Sequence, residues 1–392
     1  MQLQHRSLYA AYDLFPSRKG AAIHIDRFAR TLFDMFGGGA LLVLGNPDLP
    51  SYQLEGPVEI ERFASEVPNF LDRVTAYSDW VGRKLDGQTQ LEICHFRDPW
   101  SGVPIALRRH RYKVVYEVNA LPSIELPTVY PSLPERTLAK IRRLEIECAK
   151  AADLVITPSE RTKALLADLG VKAMVIPNGA DLDDPKPRPA DAPARYLLYF
   201  GGPQPWQGID SLLRAFARLA DFEDLHLVIC ASREAKGWRP HERLAEKLGV
   251  ADKIVWRYAL PERELSAWRQ HAAISVAPLT DSPRNVIQGC APLKILESMA
   301  SGAAVVASDV PPVRELIKDR ENGWMVHPER PTELARALRI LLDRPDLARE
   351  MGQRARQSIA DRLTWAHSTD TLRLAYKGVM DESLADLPRA RS

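Results

Sequence analysis

The stretch CAPLKILESMASGAAVVASDVPPVREL, residues 290–316, decides how this chain reads. PLKILESMA has helical spacing, with Pro292 near the first turn, where a missing N–H costs nothing. Lys294, Glu297 and Ser298 then share about one turn, while Leu293, Leu296 and Ala300 turn toward a sheet. Gly302 stops the helix, and Ala304 to Ala307 reads as the next strand. The first turn of such a helix offers backbone N–H groups to an anion, and Lys294 adds positive charge there. Glu297, one turn deeper, suits the paired hydroxyls of a ribose. Together these fit a nucleotide carrying a diphosphate. The same spacing also makes an ordinary i,i+3 salt bridge on a solvated helix, worth a few tenths of a kcal/mol.

Outward from this element, short apolar runs alternate with longer amphipathic ones. SLYAAYDL, ALLVLGN, LEICHFRD, YKVVYEVNA, DLVITPS and AMVIPNGA read as strands, with AIHIDRFARTLFDMF a helix between the first two. A proline-rich, mixed-charge segment at 183–195 reads as a linker. A second series follows: RYLLYFGG, LHLVICAS, DKIVWRYA, AAISVAPLT, AAVVASD and NGWMVHP as strands, with helices between them. The expected fold is α/β, with two Rossmann-like domains facing across a cleft. They span 1–182 and 196–365, and a C-terminal helix at 366–385 packs back on the first. Open parallel sheets bind ligands at the carboxyl ends of their strands, so the cleft is the expected site.

Length and composition fit two soluble domains: 392 residues, 45 % hydrophobic and 27 % charged. A net charge of +2 is too small for a general nucleic-acid binder. Cys94, Cys148, Cys230 and Cys290 are far apart, so free thiols in a reducing, cytoplasmic setting are expected. The N-terminus does not read as a signal peptide, and no run approaches a membrane span. In SLPERTLAKIRRLEIECAKAAD, Leu138, Ile141, Leu144 and Cys148 face inward, while Arg136, Lys140, Arg142, Arg143 and Lys150 face out. That basic face suits peripheral contact with an anionic inner leaflet or a lipid-linked acceptor. It equally suits a solvated helix whose charge Glu135, Glu145 and Glu147 balance.

The 290–316 stretch resembles the nucleotide-sugar site of the retaining GT-B glycosyltransferases of family 4. Their pattern is Glu, seven residues, Glu, then Met-Ala-x-Gly-x-Pro-Val-Val-Ala. Glu297, Met299, Ala300, Gly302 and Val305-Val306-Ala307 match it, but Gly289 stands where the first glutamate falls. Pro292-Leu293-Lys294 is similar to a branch of the family with Pro-Leu-Lys ahead of the second glutamate. VITPSERTKALL, VIPNGADLD, the glycine turn after RYLLYF and VRELIKDRENGWMV follow in the family's order, so the likeness spans almost the whole chain.

The resemblance implies that Glu297 binds the donor ribose. It also implies an Arg and a Lys for the phosphates, yet YFGGPQPWQG places Gly202 and Gln207 at those positions. Lys294, Arg284, the amides near Gly201 and Gly202, and the following helix N-terminus are the remaining sources of positive charge. Trp206 either caps the cleft or packs between loop and helix. On the N-terminal side, PSRKGAAIHIDRF looks like the family's glycine loop, with Gly20 allowing close backbone approach and His24 one turn into the helix. His95, Arg97 and Asp98 in CHFRDPW fall at or just beyond a strand tip. Arg97 either pairs with Asp98 or holds an acceptor carboxylate or phosphate. Asn119 stands where the family often has His, and it cannot serve as a base. If a side-chain base is needed, His95, Asp98, Glu117 and Glu125 are the candidates; the family's mechanism also lets the leaving phosphate take the acceptor proton.

The implied function is retaining transfer of a sugar from a nucleotide-diphosphate donor, UDP-sugar ahead of GDP-sugar. The acceptor hydroxyl belongs to a glycan, a lipid-linked sugar or a small molecule. No tightly bound cofactor or metal is implied, and the protein is expected as monomer or homodimer. Two alternatives share the fold: a sugar-nucleotide hydrolase or epimerase, and a non-catalytic partner that has lost turnover, to which Gly289, Gly202 and Gln207 point. A nicotinamide oxidoreductase fits poorly, because no Gly-x-Gly-x-x-Gly follows the first strand.

Overall fold

A computed structural model describes residues 3–17, 20–64, 66–232 and 237–385. The chain divides into two compact units. The first runs to Ile176 and regains the chain from Ser368 onward; the second is Pro177–His367.

The first unit is built on β1 (Ser7–Leu14), β2 (Gly39–Leu44), β3 (Tyr52–Glu55), β4 (Val58–Phe63), β5 (Ile93–Phe96), β6 (Lys113–Glu117), β7 (Leu154–Thr157) and β8 (Met174–Val175). Their order in the sheet is β3-β4-β2-β1-β5-β6-β7-β8, parallel except for β3 against β4. The central strands are buried on both faces, which explains their near-continuous apolar runs. Leu8, Cys94, Phe96, Val114 and Tyr116 belong to one core. Tyr9 and His95, paired across β1 and β5, point to the opposite face.

β3 and β4 carry too much charge to announce themselves. VEIERF buries Glu59, Glu61 and Arg62, and each finds a partner. His5 Nε2 lies 2.6 Å from Glu59, Lys84 pairs with Glu61, and Arg62 donates to the carbonyls of Phe15 and Pro50 and to Gln53. Paired burial of charge is tolerable where unpaired burial is not.

The second unit has β9 (Arg195–Gly201), β10 (Leu225–Ala231), β11 (Ile254–Tyr258), β12 (Ile274–Ala277), β13 (Ala304–Ser308) and β14 (Trp324–Val326). All pairs are parallel, in the order β11-β10-β9-β12-β13-β14. The helix Leu293–Ser301 joins β12 to β13 and ends at Gly302, whose φ of +81° is the left-handed conformation a glycine adopts without strain. Ile295, Leu296, Met299 and Ala300 bury its inner face, and Leu293 is only half-buried.

The proline-rich 183–195 segment is not a free tether. Arg356 donates to the Asp183 carbonyl, Gln270 to that of Asp184, and Lys186 N–H to Gln270 Oε1. These bonds place it within the second unit. The helix Trp365–Ala385 carries the chain onward, and its Leu372 and Tyr376 are fully buried in the first unit.

The helix Glu135–Ala151 keeps Arg136, Lys140, Arg142, Arg143 and Lys150 exposed, as its periodicity indicates. Glu145 does not balance them. It is buried, accepts hydrogen bonds from Ser123 N (2.7 Å) and Oγ (2.6 Å), and burial pushes its carboxyl up to about 7. Among the described residues, no helix is long and apolar enough to cross a membrane.

Candidate functional site

In the second unit the loop after β9 and the helix after β12 meet at the carboxyl end of the sheet. Lys294, in the first turn of that helix, donates from Nζ to Gln207 Oε1 at 2.5 Å and stands 4.2 Å from the Tyr199 ring centroid. Tyr199 in turn donates to the Gly202 carbonyl at 2.9 Å. At Gly201, φ is +135°, a conformation that strains any side chain, and a Cβ would lie 3.1 Å from Lys294 Nζ and press on the ammonium. Trp206 is buried: its carbonyl accepts from Asn285 Nδ2 (3.0 Å) and Thr280 N–H (3.1 Å). It packs the loop, and the Arg284 guanidinium lies 5.0 Å from its ring centroid.

Two cations therefore share one end of the sheet. Among the described residues Lys294 forms no ion pair, so the i,i+3 bridge to Glu297 does not form. Burial, and then the Arg284 charge, lower its ammonium to about 7. An ammonium held by an amide oxygen and an aromatic face, beside a guanidinium, is a place where an anion gains.

Glu297 turns to a different partner, with Oε2 3.6 Å from Arg269 Nη1. Arg269 is buried over Phe200 and is shared with Asp183 (3.2 Å) and Glu262. Three carboxylates thus surround one guanidinium. Burial pushes Glu297 up to about 7; Arg269 opposes this, while Glu262 and Asp183 add to it. The sequence reading contained none of Arg269, Asp183 or Glu262. Nothing local marks them, because they come from a helix end, a linker and a helix start.

In the first unit, Glu117 at the end of β6 is the hub. Tyr9 Oη donates to it at 2.9 Å, Arg97 Nε at 3.0 Å, and His24 Nε2 and His95 Nε2 lie 2.7 and 3.2 Å away. Burial alone would raise this carboxyl, but His24 and Arg97 more than reverse that and hold it well below the usual range. His95 is fully buried. Its Nδ1 meets Tyr376 Oη at 2.6 Å, and burial lowers its proton affinity. His95 does lie next to the last residue of β5, but it is closed off there: parallel neighbours flank it on both sides and the C-terminal helix covers it. Tyr376 lies 281 positions away in sequence, so no motif signals the contact.

Asp98 is likewise committed. It caps the helix Pro99–Ala106, accepting from Ser101 N–H (2.8 Å) and Tyr12 N–H (2.6 Å). Burial raises its carboxyl to about 6 against those bonds. A cap with both oxygens engaged is a structural group. His24, 2 % exposed, also faces inward. Arg97 pairs with neither Asp98 nor open solvent; its Nη1 donates to Asp13 Oδ2 at 3.2 Å and to the Ala21 carbonyl at 3.4 Å. Gly20 opens the helix Gly20–Phe36, and residues 18 and 19 of its loop lie outside the described residues. Asn119 is half-buried, and its Nδ2 has no hydrogen-bond partner among the described residues. Asp13, 39 % exposed at the end of β1, escaped the sequence reading, although the rule that singled out Arg97 at a strand tip applies to it equally.

Residues 18–184 match Glycosyltransferase Family 4, and residues 182–358 match Glycosyl transferases group 1. A D-inositol 3-phosphate glycosyltransferase of Geodermatophilus obscurus is 30 % identical over 76 % of this chain and 69 % of its own. One from Nocardia farcinica is 25 % identical over 86 % of this chain and 74 % of its own. Sucrose-phosphate synthase of Thermosynechococcus elongatus has a TM-score of 0.79 at 18 % identity, covering 96 % of this chain and 100 % of that one. Anabaena HepE in complex with UDP-glucose has a TM-score of 0.73 at 16 % identity, covering 98 % and 100 %. The likeness runs through both parallel-sheet α/β units, and the chain belongs to family 4 of the glycosyltransferases, enzymes of the GT-B fold.

Proposed function

We propose that this enzyme moves a sugar from a nucleoside-diphosphate donor, UDP-sugar ahead of GDP-sugar, to an acceptor hydroxyl with retention at the anomeric carbon. The observation that carries this reading is the pair of cations at the carboxyl end of the second sheet, Lys294 set against Gln207 and Gly201, with Arg284 on Trp206. Lys294 and Arg284 take the diphosphate in place of the cations that positions 202 and 207 lack. Glu297 takes the ribose hydroxyls. In the transfer, the bond from the anomeric carbon to the β-phosphate oxygen breaks and the bond to the acceptor oxygen forms. The acceptor proton passes to the departing phosphate. Charge grows on that phosphate as the bond breaks, so a fixed ammonium beside it lowers the barrier. His95 is buried, Asp98 is half-buried, and both are committed elsewhere, which favours this route over an enzymic base. The acceptor hydroxyl is borne by a glycan, a lipid-linked sugar or a small molecule; the exposed cations of the Glu135–Ala151 helix suit a lipid-linked one.

UDP, GDP and ADP titrated calorimetrically into the wild type and into Lys294→Gln test the reading. One nucleotide should bind selectively. Losing a charge-assisted contact of about 1.5–3 kcal/mol should weaken it by roughly 10- to 150-fold. No binding of any nucleotide to the wild type would favour the non-catalytic partner, and donor turnover to water alone would favour the hydrolase.

A further inference from the structure

β3 is the outermost strand of the first sheet: it pairs antiparallel with β4, and among the described residues no strand lies on its other side. Its main chain alternates between the two sides. Ser51, Gln53 and Glu55 face β4, since the two-residue turn Gly56-Pro57 joins the pair Glu55 and Val58, and the Arg62 N–H donates to the Ser51 carbonyl at 2.8 Å. The N–H and C=O groups of Tyr52 and Leu54 therefore point away from the sheet. Their side chains share one face and are 49 % and 53 % exposed. An edge strand of this kind is a template for another, and proteins blunt it with lysine, proline or a bulge. YQLE has none of these, and its register with β4 runs without a break.

The edge is complementary to itself. Set against a second copy, antiparallel about a twofold axis at Gln53, Tyr52 of each chain stands opposite Leu54 of the other. In that register every outward N–H meets an outward C=O, and the ring of Tyr52 lies against Leu54 on both sides of the axis. Sliding by one residue puts Tyr52 opposite Glu55 and sets outward groups against groups committed to β4, so the bonds are lost. Charge favours the same register. Glu55 comes opposite Ser51, whose hydroxyl can donate to it. The two Glu55 carboxylates stand roughly 14 Å apart along the strands, beyond the Debye length of about 8 Å. Within its own chain Glu55 already accepts from Gln53 Nε2 at 2.6 Å and lies 3.6 Å from Arg30 Nη2. We propose that the β3 edge is a homodimer interface, which joins two copies of the first sheet into one. A strand edge of this length buries less than the roughly 1,000 Å² of a stable interface, so the dimer is weak and forms with rising concentration.

Sedimentation velocity of the full chain from about 5 to about 500 µM tests this. The weight-average sedimentation coefficient should climb from the monomer value toward that of a dimer. Leu54→Pro removes an outward N–H that β4 does not use, and should hold the chain monomeric over the whole range. Leu54→Lys, which keeps the backbone intact, should weaken association roughly tenfold or more. The register has its own readout. Cα atoms of a non-hydrogen-bonded antiparallel pair approach to roughly 4.5 Å, within disulfide reach, and the native Cys94, Cys148, Cys230 and Cys290 are buried. With oxidised glutathione, Gln53→Cys should therefore form a disulfide-linked dimer, whereas Glu55→Cys, whose two copies stand far apart, should not. A monomer at every concentration would overturn the proposal. So would association unchanged in both Leu54 variants, or equal crosslinking at positions 53 and 55, since neither fits two edges paired at Gln53.

Discussion

Replacing Glu297 by Gln should move stability and donor affinity in opposite directions. The wild-type carboxylate sits in a cluster with Glu262 and Asp183 around one guanidinium, Arg269. Its carboxyl is pushed up to about 7 from an ordinary 4.5. For an acid raised in the folded state, the contribution to stability is full below the unfolded pKa and is lost as pH rises through the folded pKa. At pH 8 the cost of keeping Glu297 charged approaches about 3 kcal/mol. Its side chain retains 18 % exposure, and solvent screening brings the expected gain from Gln to about 1–2 kcal/mol. Gln keeps the shape and loses the charge. Hydrogen bonds from ribose hydroxyls to a carboxylate are worth about 1.5–3 kcal/mol, against about 1 for a neutral acceptor. Glu297→Gln should therefore unfold later in urea at pH 8, match the wild type at pH 5, and bind the selected nucleotide roughly 3- to 30-fold more weakly. Urea titrations at both pH values and calorimetry at pH 8 provide the check. Unchanged affinity would refute the ribose role. A stability loss at pH 8 would refute the account of an acid-crowded arginine.

Lys294 is lowered to about 7 from 10.5, so at pH 8 most of the free protein carries it as neutral amine. A bound diphosphate restores the charge. UDP binding at pH 8 should take up close to one proton, read as an observed enthalpy that changes with the ionisation enthalpy of the buffer, and Lys294→Arg should abolish the uptake; identical enthalpies in two buffers would contradict this. Glu145, raised by burial to about 7, should cost the first unit about 3 kcal/mol of stability as pH climbs from 4.5 through 7. Glu145→Gln should flatten that part of the pH–stability curve while preserving the bond from the Ser123 amide, and parallel curves for wild type and variant would count against it.

The sheet-and-helix order was legible because β1, β5, β6, β9, β10 and β13 are largely buried on both faces and so are mostly apolar, the polar hub at His95 and Glu117 aside. β3 and β4 were not, because their buried charges are paid for by His5, Lys84 and partners of Arg62 contributed from distant segments. The helix bearing Lys294 and Glu297 was also readable: proline at its start, glycine at its end and an apolar inner face are local facts. Its pairing was not. Spacing joins Lys294 to Glu297, yet the fold gives the lysine to Gln207, 87 positions away, and the glutamate to Arg269. Strand-tip logic found Arg97 and Asn119 but could not show which way a tip residue points. The sequence by itself determined two mainly parallel α/β sheets, the family, and the start and stop of the helix that carries Lys294 and Glu297, since periodicity and chain breaks act within a few residues. Only the tertiary structure decided that His95 is internal, that Asp98 caps a helix and holds the Tyr12 amide, that Arg97 faces Glu117 and Asp13, and that Lys294 stands beside Gly201. Burial and charge pairing depend on which distant segments the packed core brings together.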